Sequence, residues 1–203
     1  MRLSIVALGH VHAEALEPLT HLFSHIEQLV LDVPPREPLA KHRAEFNRAL
    51  DAATADWILI VREREEIDAA LAQEIFNAAN AGSARGFRMK SVPVYAGKPL
   101  QLTKDDGELR LFHRRNYLRF ANKGEWDEVT VQGTVVRLAT PLRSMTFSSA
   151  AEHREHLAKH AAPNSWLRHV LRYAGYLVTT KAFDANTRLY LWIESGYDVP
   201  QES

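Results

Sequence analysis

The sequence has no cysteine, no net charge, no internal repeat and no long apolar run. Without cysteine there can be no disulfide, no thiolate nucleophile and no cysteine-ligated zinc. Lys plus Arg number 25 and Asp plus Glu also 25, so the basic excess needed for general electrostatic nucleic-acid binding is missing. No nucleic-acid partner is expected. Membrane-spanning helices need about 20 consecutive apolar residues, and no such stretch occurs. The short N-terminal run Leu3–Leu8 is also too brief for a secretory core, so a cytoplasmic location is expected. Glycine and proline, nine each, punctuate the chain rather than dominate it. With 203 residues, 46% of them hydrophobic, the chain can bury one sizeable core, with or without a small appendage.

The hydrophobic pattern reads as an alternation of strands and helices. Leu3–Leu8 is an apolar strand, and Leu16, Leu19, Leu22, Phe23 and Ile26 recur at helical spacing over Glu14–His25. Leu29–Leu31 forms a second strand ending at Asp32, and the proline-rich segment 33–38 must be a loop. A helix over Leu39–Ala53, a strand over Trp57–Val61 and a helix over Glu66–Ala81 ending at Gly82 follow. This order predicts a parallel sheet covered on its faces, with sites at the carboxyl ends of the strands. Farther on, Phe87–Tyr95 and Leu109–His113 read as strands around a turn at Asp105-Asp106-Gly107. Val129–Leu138 is β-branched but broken by Gly133. Ser149 with Glu152 three residues later marks a helix start. The aromatic-rich C-terminal region is helical, with Tyr190–Ile193 either a last helical turn or an edge strand.

Several short motifs between Lys41 and Ser149 occur in a fixed order. They are Phe46-Asn47-Arg48-Ala49-Leu50, Asp56-Trp57-Ile58-Leu59-Ile60-Val61 followed by Glu65, Gly86-Phe87-Arg88-Met89, Leu109-Arg110-Leu111-Phe112-His113-Arg114, and Pro141-Leu142 with Met145-Thr146-Phe147-Ser148-Ser149. Together they resemble the family 2 glycosyltransferases of the GT-A fold, in the lipopolysaccharide-type subgroup. The resemblance implies an α/β, GT-A-like, mostly parallel sheet with helices on both faces. That domain would cover 1–160, with 161–203 a C-terminal helical extension packed on it. It implies a transferase that moves a sugar from a nucleotide-sugar to a cell-envelope saccharide.

Two departures from the family reshape that expectation. The family's Asp-x-Asp, which holds a divalent metal against the donor diphosphate, is here Arg62 and Arg64. Guanidiniums cannot ligate Mg²⁺ or Mn²⁺, which require oxygen ligands, so no metal cofactor is expected. Either Arg62 and Arg64 clamp phosphate oxygens directly, or the run Arg62–Glu66 is a solvated charged face. Glu65 alone matches the acid that follows the motif, and the resemblance places the donor diphosphate near Asp32, Arg62, Arg64 and Glu65. The chain is also shortened after its second strand, where the family carries a loop, a helix and another strand. Asp32 matches the family's nucleotide-contacting acid, and as a strand-end residue it serves equally as a local cap.

The family's general base maps near Glu125-Trp126-Asp127-Glu128. Asp127 or Glu128 would then take the acceptor proton, with Trp126 as a stacking face for the acceptor sugar. The dull alternative is surface charge at a turn. Ten histidines offer a third class, a metal hydrolase built on His10-Val11-His12 with His42 or Asp32. His21 and His25, or His153, His156 and His160, stand at helical spacings that chelate metals, although the His153 helix also reads as a solvated face. The basic, aromatic C-terminal helix offers peripheral membrane contact, packing on the sheet, or a homo-oligomer interface. The main alternative to catalysis is a non-catalytic binding protein on the same scaffold.

Overall fold

The computed structural model describes residues 1–33, 39–100, 107–118, 129–160, 162–163, 166–180, 184–195 and 197–198. The chain clusters into two compact units, 1–91 with 105–143, and 92–104 with 144–203. The boundary expected at residue 160 therefore falls inside the second unit.

The first unit is a mixed sheet built from β1 (Arg2–Leu8), β2 (His25–Leu31), β3 (Trp57–Arg62), β5 (Gly86–Met89), β8 (Glu108–His113) and β11 (Val135–Arg137). Between these strands lie the two-residue strand β4 (Glu65–Glu66) and the helices α1 (Glu17–Thr20), α2 (Arg43–Ala52) and α3 (Ala69–Ala81). Sheet order is β11-β5-β8-β3-β1-β2. Pairing is parallel for β1 with β2 and β3 and for β5 with β11, while β8 runs antiparallel to both β3 and β5. The expected α/β architecture with a mostly parallel sheet is thus present, with one reversed strand inserted.

Strand periodicity divides the apolar side chains between two cores. Leu3, Ile5, Trp57, Leu59 and Val61 meet Leu71, Ala72 and Ile75 of α3 on one face. Val6, Leu8, Ile58 and Ile60 meet Phe46 and Leu50 of α2 on the other. A strand buried on both sides must be apolar at every position, which is why Trp57–Val61 reads as one continuous run. Each fully buried Leu, Ile or Phe contributes roughly 1.5–3 kcal/mol. The α3 helix starts at Asp68, whose Oδ1 accepts the Leu71 N–H at 2.9 Å, and stops at Gly82 in the left-handed region.

Four sequence expectations need correction. The helix over Glu14–His25 shrinks to a 3₁₀ turn, Ala13–Leu16, and the single turn α1, and β2 begins four residues earlier than expected, at His25. The apparent helical spacing arose because Leu16, Leu19, Phe23 and Ile26 all reach the same core from three different elements. Glu66 lies in β4 rather than in α3. Phe87–Tyr95 breaks at Lys90 into β5 and β6 (Ser91–Tyr95), which belong to different sheets. Val129–Leu138 divides into β10 (Thr130–Val131) and β11, and β10 pairs with β9 (Tyr117–Leu118).

In the second unit β6 and β7 (Lys98–Pro99) form a hairpin, and β12 (Leu142–Phe147) lies beside β6 in the order β12-β6-β7. Ala96 and Gly97 both have positive φ, 49° and 75°, as a two-residue type I′ connection requires. The helices are α4 (Ala150–His160), α5 (Trp166–Thr180) and α6 (Ala185–Ser195), and the short strands β13 (Ala162–Pro163) and β14 (Tyr197–Asp198) pair antiparallel. Tyr190–Ile193 is helical. Ser149 Oγ accepts the Glu152 N–H at 3.1 Å, as its position predicts, while Glu152 reaches back to Ser148. The His153 helix is not a solvated face at that residue. His153 is fully buried, stacked between Phe147 at 4.3 Å and Tyr190 at 5.0 Å, with Nε2 3.1 Å from Glu194 Oε1. No helix among the described residues is long and apolar enough to cross a membrane.

Two carboxylates staple loops of the first unit. Glu27 accepts from Ser4 Oγ at 2.7 Å and from the Thr54 N–H at 2.9 Å, and Glu74 accepts the Ala139 and Thr140 N–H groups at 2.7 and 2.8 Å. Burial raises the pKa of both, but these hydrogen bonds outweigh it and hold both below the ordinary value of 4.5. A depressed carboxylate stabilises the fold above its unfolded-state pKa, and that contribution is lost as pH falls through the folded value. Acid unfolding should therefore set in below about pH 4.5. In denaturant titrations against pH, Glu27→Gln and Glu74→Gln should each flatten this acid limb; an unchanged limb would show that the staples do not contribute.

Candidate functional site

The chain runs from β1 outward to β2 and then returns to the other side of β1 as β3. In open α/β sheets such a reversal leaves a crevice at the carboxyl ends of the two strands where it occurs. Here those strands are β1 and β3. Leu8 of β1 is level with Leu31 of β2 and with Arg62 of β3, so Gly9-His10, Asp32 and Arg62-Glu63-Arg64 share one edge of the sheet. The sequence reading places Asp32, Arg62, Arg64 and Glu65 together at one donor site; the first three share this edge, whereas Glu65 is buried.

Backbone detail at this edge is specific. Gly9 has φ 81° and donates its N–H to Leu31 O at 2.8 Å, while Glu63 donates its N–H to Leu8 O at 2.8 Å. A Cβ on Gly9 would lie 2.9 Å from Glu63 Oε2 and 3.1 Å from Glu63 Cβ. Glycine is needed here for both reasons, its φ and the close approach of the β3 turn. Arg64 also adopts a positive φ, 63°, which costs about 1 kcal/mol for a residue with a side chain. Something must hold it there.

That something is Glu65, 3% exposed, which lies beneath the turn rather than at its surface. Its Oε2 accepts the Arg62 N–H at 2.7 Å, closing the loop over Glu63 and Arg64. Its Oε1 accepts from Arg110 Nη2 at 3.0 Å, and Arg110 is itself only 2% exposed. Glu108, two residues before Arg110 on β8, accepts from Arg110 at 3.1 Å and from Arg62 at 2.9 Å. The result is a chain Glu65–Arg110–Glu108–Arg62 running from the interior to the surface. Arg110 and Glu108 are members the sequence reading did not assign. The signal for them was a charged residue alternating with apolar ones in Leu109–Phe112.

These residues do not fit a divalent metal. Arg62 and Arg64 replace the acids a metal would need, and Glu65 is already engaged by Arg110 and the Arg62 amide. Histidine offers no substitute among the described residues, where no three His, Asp or Glu side chains converge as a metal site. His10 and His12 touch edge to face at 5.1 Å, His25 is on β2 and not one helical turn from His21, and His153 is in the second unit's core. Asp32 opens onto a groove of about 440 Å³ between β2 and α2, lined also by His42, Glu45 and Arg48. Trp126, Asp127 and Glu128 lie outside the described residues.

A buried pair that loses one partner leaves an uncompensated charge, at a cost of about 3–5 kcal/mol, whereas replacing both members by apolar groups is often nearly neutral. Urea unfolding should therefore show Arg110→Met to be severely destabilising and Arg110→Met with Glu65→Leu to recover part of the loss, the Arg62 N–H being left without its Glu65 acceptor. Equal destabilisation in the single and double variants would contradict the pairing.

No protein-family model matches the sequence, and no curated protein does. Among solved structures the chain is similar to S. aureus TarS 1-349 in complex with UDP, at 10% identity and TM-score 0.44, over 76% of this chain and 64% of that one. It is also similar to S. aureus TarS 1-349 in complex with UDP-GlcNAc, at 11% identity and TM-score 0.41, over 96% of this chain and 72% of that one. The chain thus spans less than two thirds of the first of these.

Proposed function

We propose that the protein is a GT-A-like, family 2-type glycosyltransferase that binds its nucleotide-sugar donor without a metal. The observation that carries this reading is the convergence of Arg62, Arg64, Gly9 and Asp32 at the reversal of the sheet, where α/β folds bind ligands. Arg62 and Arg64 would hold the diphosphate by charge-assisted hydrogen bonds, Asp32 would meet the nucleoside, and Glu65 would act from below by fixing the turn. In the transfer, the acceptor hydroxyl oxygen bonds to the anomeric carbon while the bond from that carbon to the diphosphate breaks. The diphosphate leaves with the electron pair, and Asp127 or Glu128 takes the acceptor proton. Trp126 would stack against the acceptor, a cell-envelope saccharide.

A second reading, a saccharide- or nucleotide-binding protein without transferase activity, draws support from a different observation. Arg62 already pairs with Glu108, and Arg110 with Glu65 and Glu108. A ligand diphosphate must displace Glu108 from Arg62 before it gains full charge contact.

Calorimetric titration with UDP-, GDP-, TDP- and CDP-sugars separates these outcomes. One donor class should bind equally well in EDTA, and Arg62→Ala and Arg64→Ala should each weaken it by roughly tenfold or more, the value of a charge-assisted hydrogen bond. Dependence on Mn²⁺ would contradict the guanidinium clamp, and silence across the panel would refute donor binding. Binding without hydrolysis or transfer would favour the second reading.

A further inference from the structure

Glu108 opens β8 at the same edge of the sheet where β3 ends. The antiparallel register that sets Leu59 against Leu111 brings Glu108 level with Arg62 three residues farther on. The backbone before it is tightly placed. Gly107 has φ 82°, a Cβ there would lie 2.9 Å from the Met89 carbonyl of β5, and the Gly107 carbonyl accepts from Arg88 Nη1 at 2.8 Å. A side chain at 107 would push β8 away from β5, so glycine fixes where β8 starts and where Glu108 stands.

A single oxygen of this residue, Oε2, lies between two guanidiniums, 2.9 Å from Arg62 Nη2 and 3.1 Å from Arg110 Nη2. The inner arginine is anchored by Glu65 and is 2% exposed, whereas the side chains of Arg62 and Glu108 are 48% and 45% exposed. Glu108 can therefore swing into solvent about its own side-chain bonds and leave the Glu65–Arg110 pair in place. Pairs this exposed are weak enough for such exchange. Guanidiniums accept phosphate oxygens in the same charge-assisted geometry as carboxylate oxygens.

We infer that Glu108 is an internal stand-in for phosphate: it occupies an anion seat formed by Arg62 and Arg110, and a di- or polyphosphate binds there by displacing it. The seat adds Arg110 to the clamp of Arg62 and Arg64, and it rests on the proposed donor site for the class of anion it receives. Displacement sets a charge threshold. Glu108 is tethered beside its arginines at an effective concentration on the order of millimolar or above. A monoanion such as chloride or acetate replaces one negative charge by another and gains nothing. A diphosphate brings several charges and several acceptor oxygens, enough to engage more than one guanidinium at once. The carboxylate thus keeps the arginines paired without ligand and selects multivalent phosphates over common anions.

Isothermal titration of the full chain with inorganic pyrophosphate, in EDTA at low and constant ionic strength, tests the seat. Glu108→Gln keeps the side-chain shape and an acceptor oxygen but removes the charge, and it should bind pyrophosphate roughly tenfold or more tightly than wild type. Arg62→Ala in the Glu108→Gln background should abolish that gain. Glu63→Gln makes the same change of charge on the neighbouring turn, where the carboxylate lies against Gly9, and should gain at most about twofold. Equal gains in Glu63→Gln and Glu108→Gln would reduce the effect to the general field and overturn the inference. So would unchanged or weaker binding in a Glu108→Gln variant with a wild-type circular dichroism spectrum, or pyrophosphate binding to neither protein. Nucleotide-sugars in the same titrations test the donor reading separately: silence from all of them, with pyrophosphate still tightened by Glu108→Gln, refutes the donor and supports the seat.

Discussion

The buried contact between Arg110 and Glu65 determines how strand β3 ends. A carboxylate and a guanidinium that are both almost inaccessible are tolerable only because each satisfies the other. Glu65 then has a second oxygen for the Arg62 amide, and that bond forces the chain through a tight turn with Arg64 at positive φ. Without it the turn would relax, Arg64 would leave the left-handed region, and the geometry facing Gly9 would be lost. The neighbour β8 supplies Arg110 and Glu108 from its alternate positions, so the one reversed strand of the sheet also organises the edge of the parallel ones.

This arrangement sets two arginines, Arg62 and Arg64, at the carboxyl end of β3, with no free carboxylate pair there among the described residues. Arg62 is bridged to Glu108, and Arg110 to both Glu65 and Glu108. Arg62 is half exposed and bridged to Glu108, a contact of modest strength that a multivalent anion can compete for. Arg110, by contrast, is locked. The division between an inner structural pair and an outer exchangeable one is what the proposed metal-free diphosphate site needs.

Much of the first unit was legible because its strands are buried on both faces. Trp57–Val61 and Leu3–Leu8 announce themselves by continuous apolarity, and α3 by its spacing, its Asp68 cap and Gly82. Helical spacing misled at Leu16–Ile26, where one core is reached from three elements, since periodicity counts positions and not directions. The candidate site was half visible. Asp32, Arg62 and Arg64 were singled out by the resemblance, at the ends of strands that the apolar runs mark, but the burial of Glu65 and its partner Arg110 depends on β8 inserting antiparallel between β3 and β5, a long-range pairing that local pattern does not encode. His153 was similarly opaque: its helix neighbours are charged, and only the packing of Phe147 and Tyr190 around it makes the position internal.

The most direct test of the account is a crystal structure of the protein soaked with a nucleoside diphosphate in the presence of a chelator. The account predicts phosphate density between the carboxyl ends of β1 and β3, within hydrogen-bond distance of the Arg62 and Arg64 guanidiniums, with Glu65 and Arg110 unmoved beneath the turn. Density at another surface, or an edge left empty at saturating ligand, would contradict it.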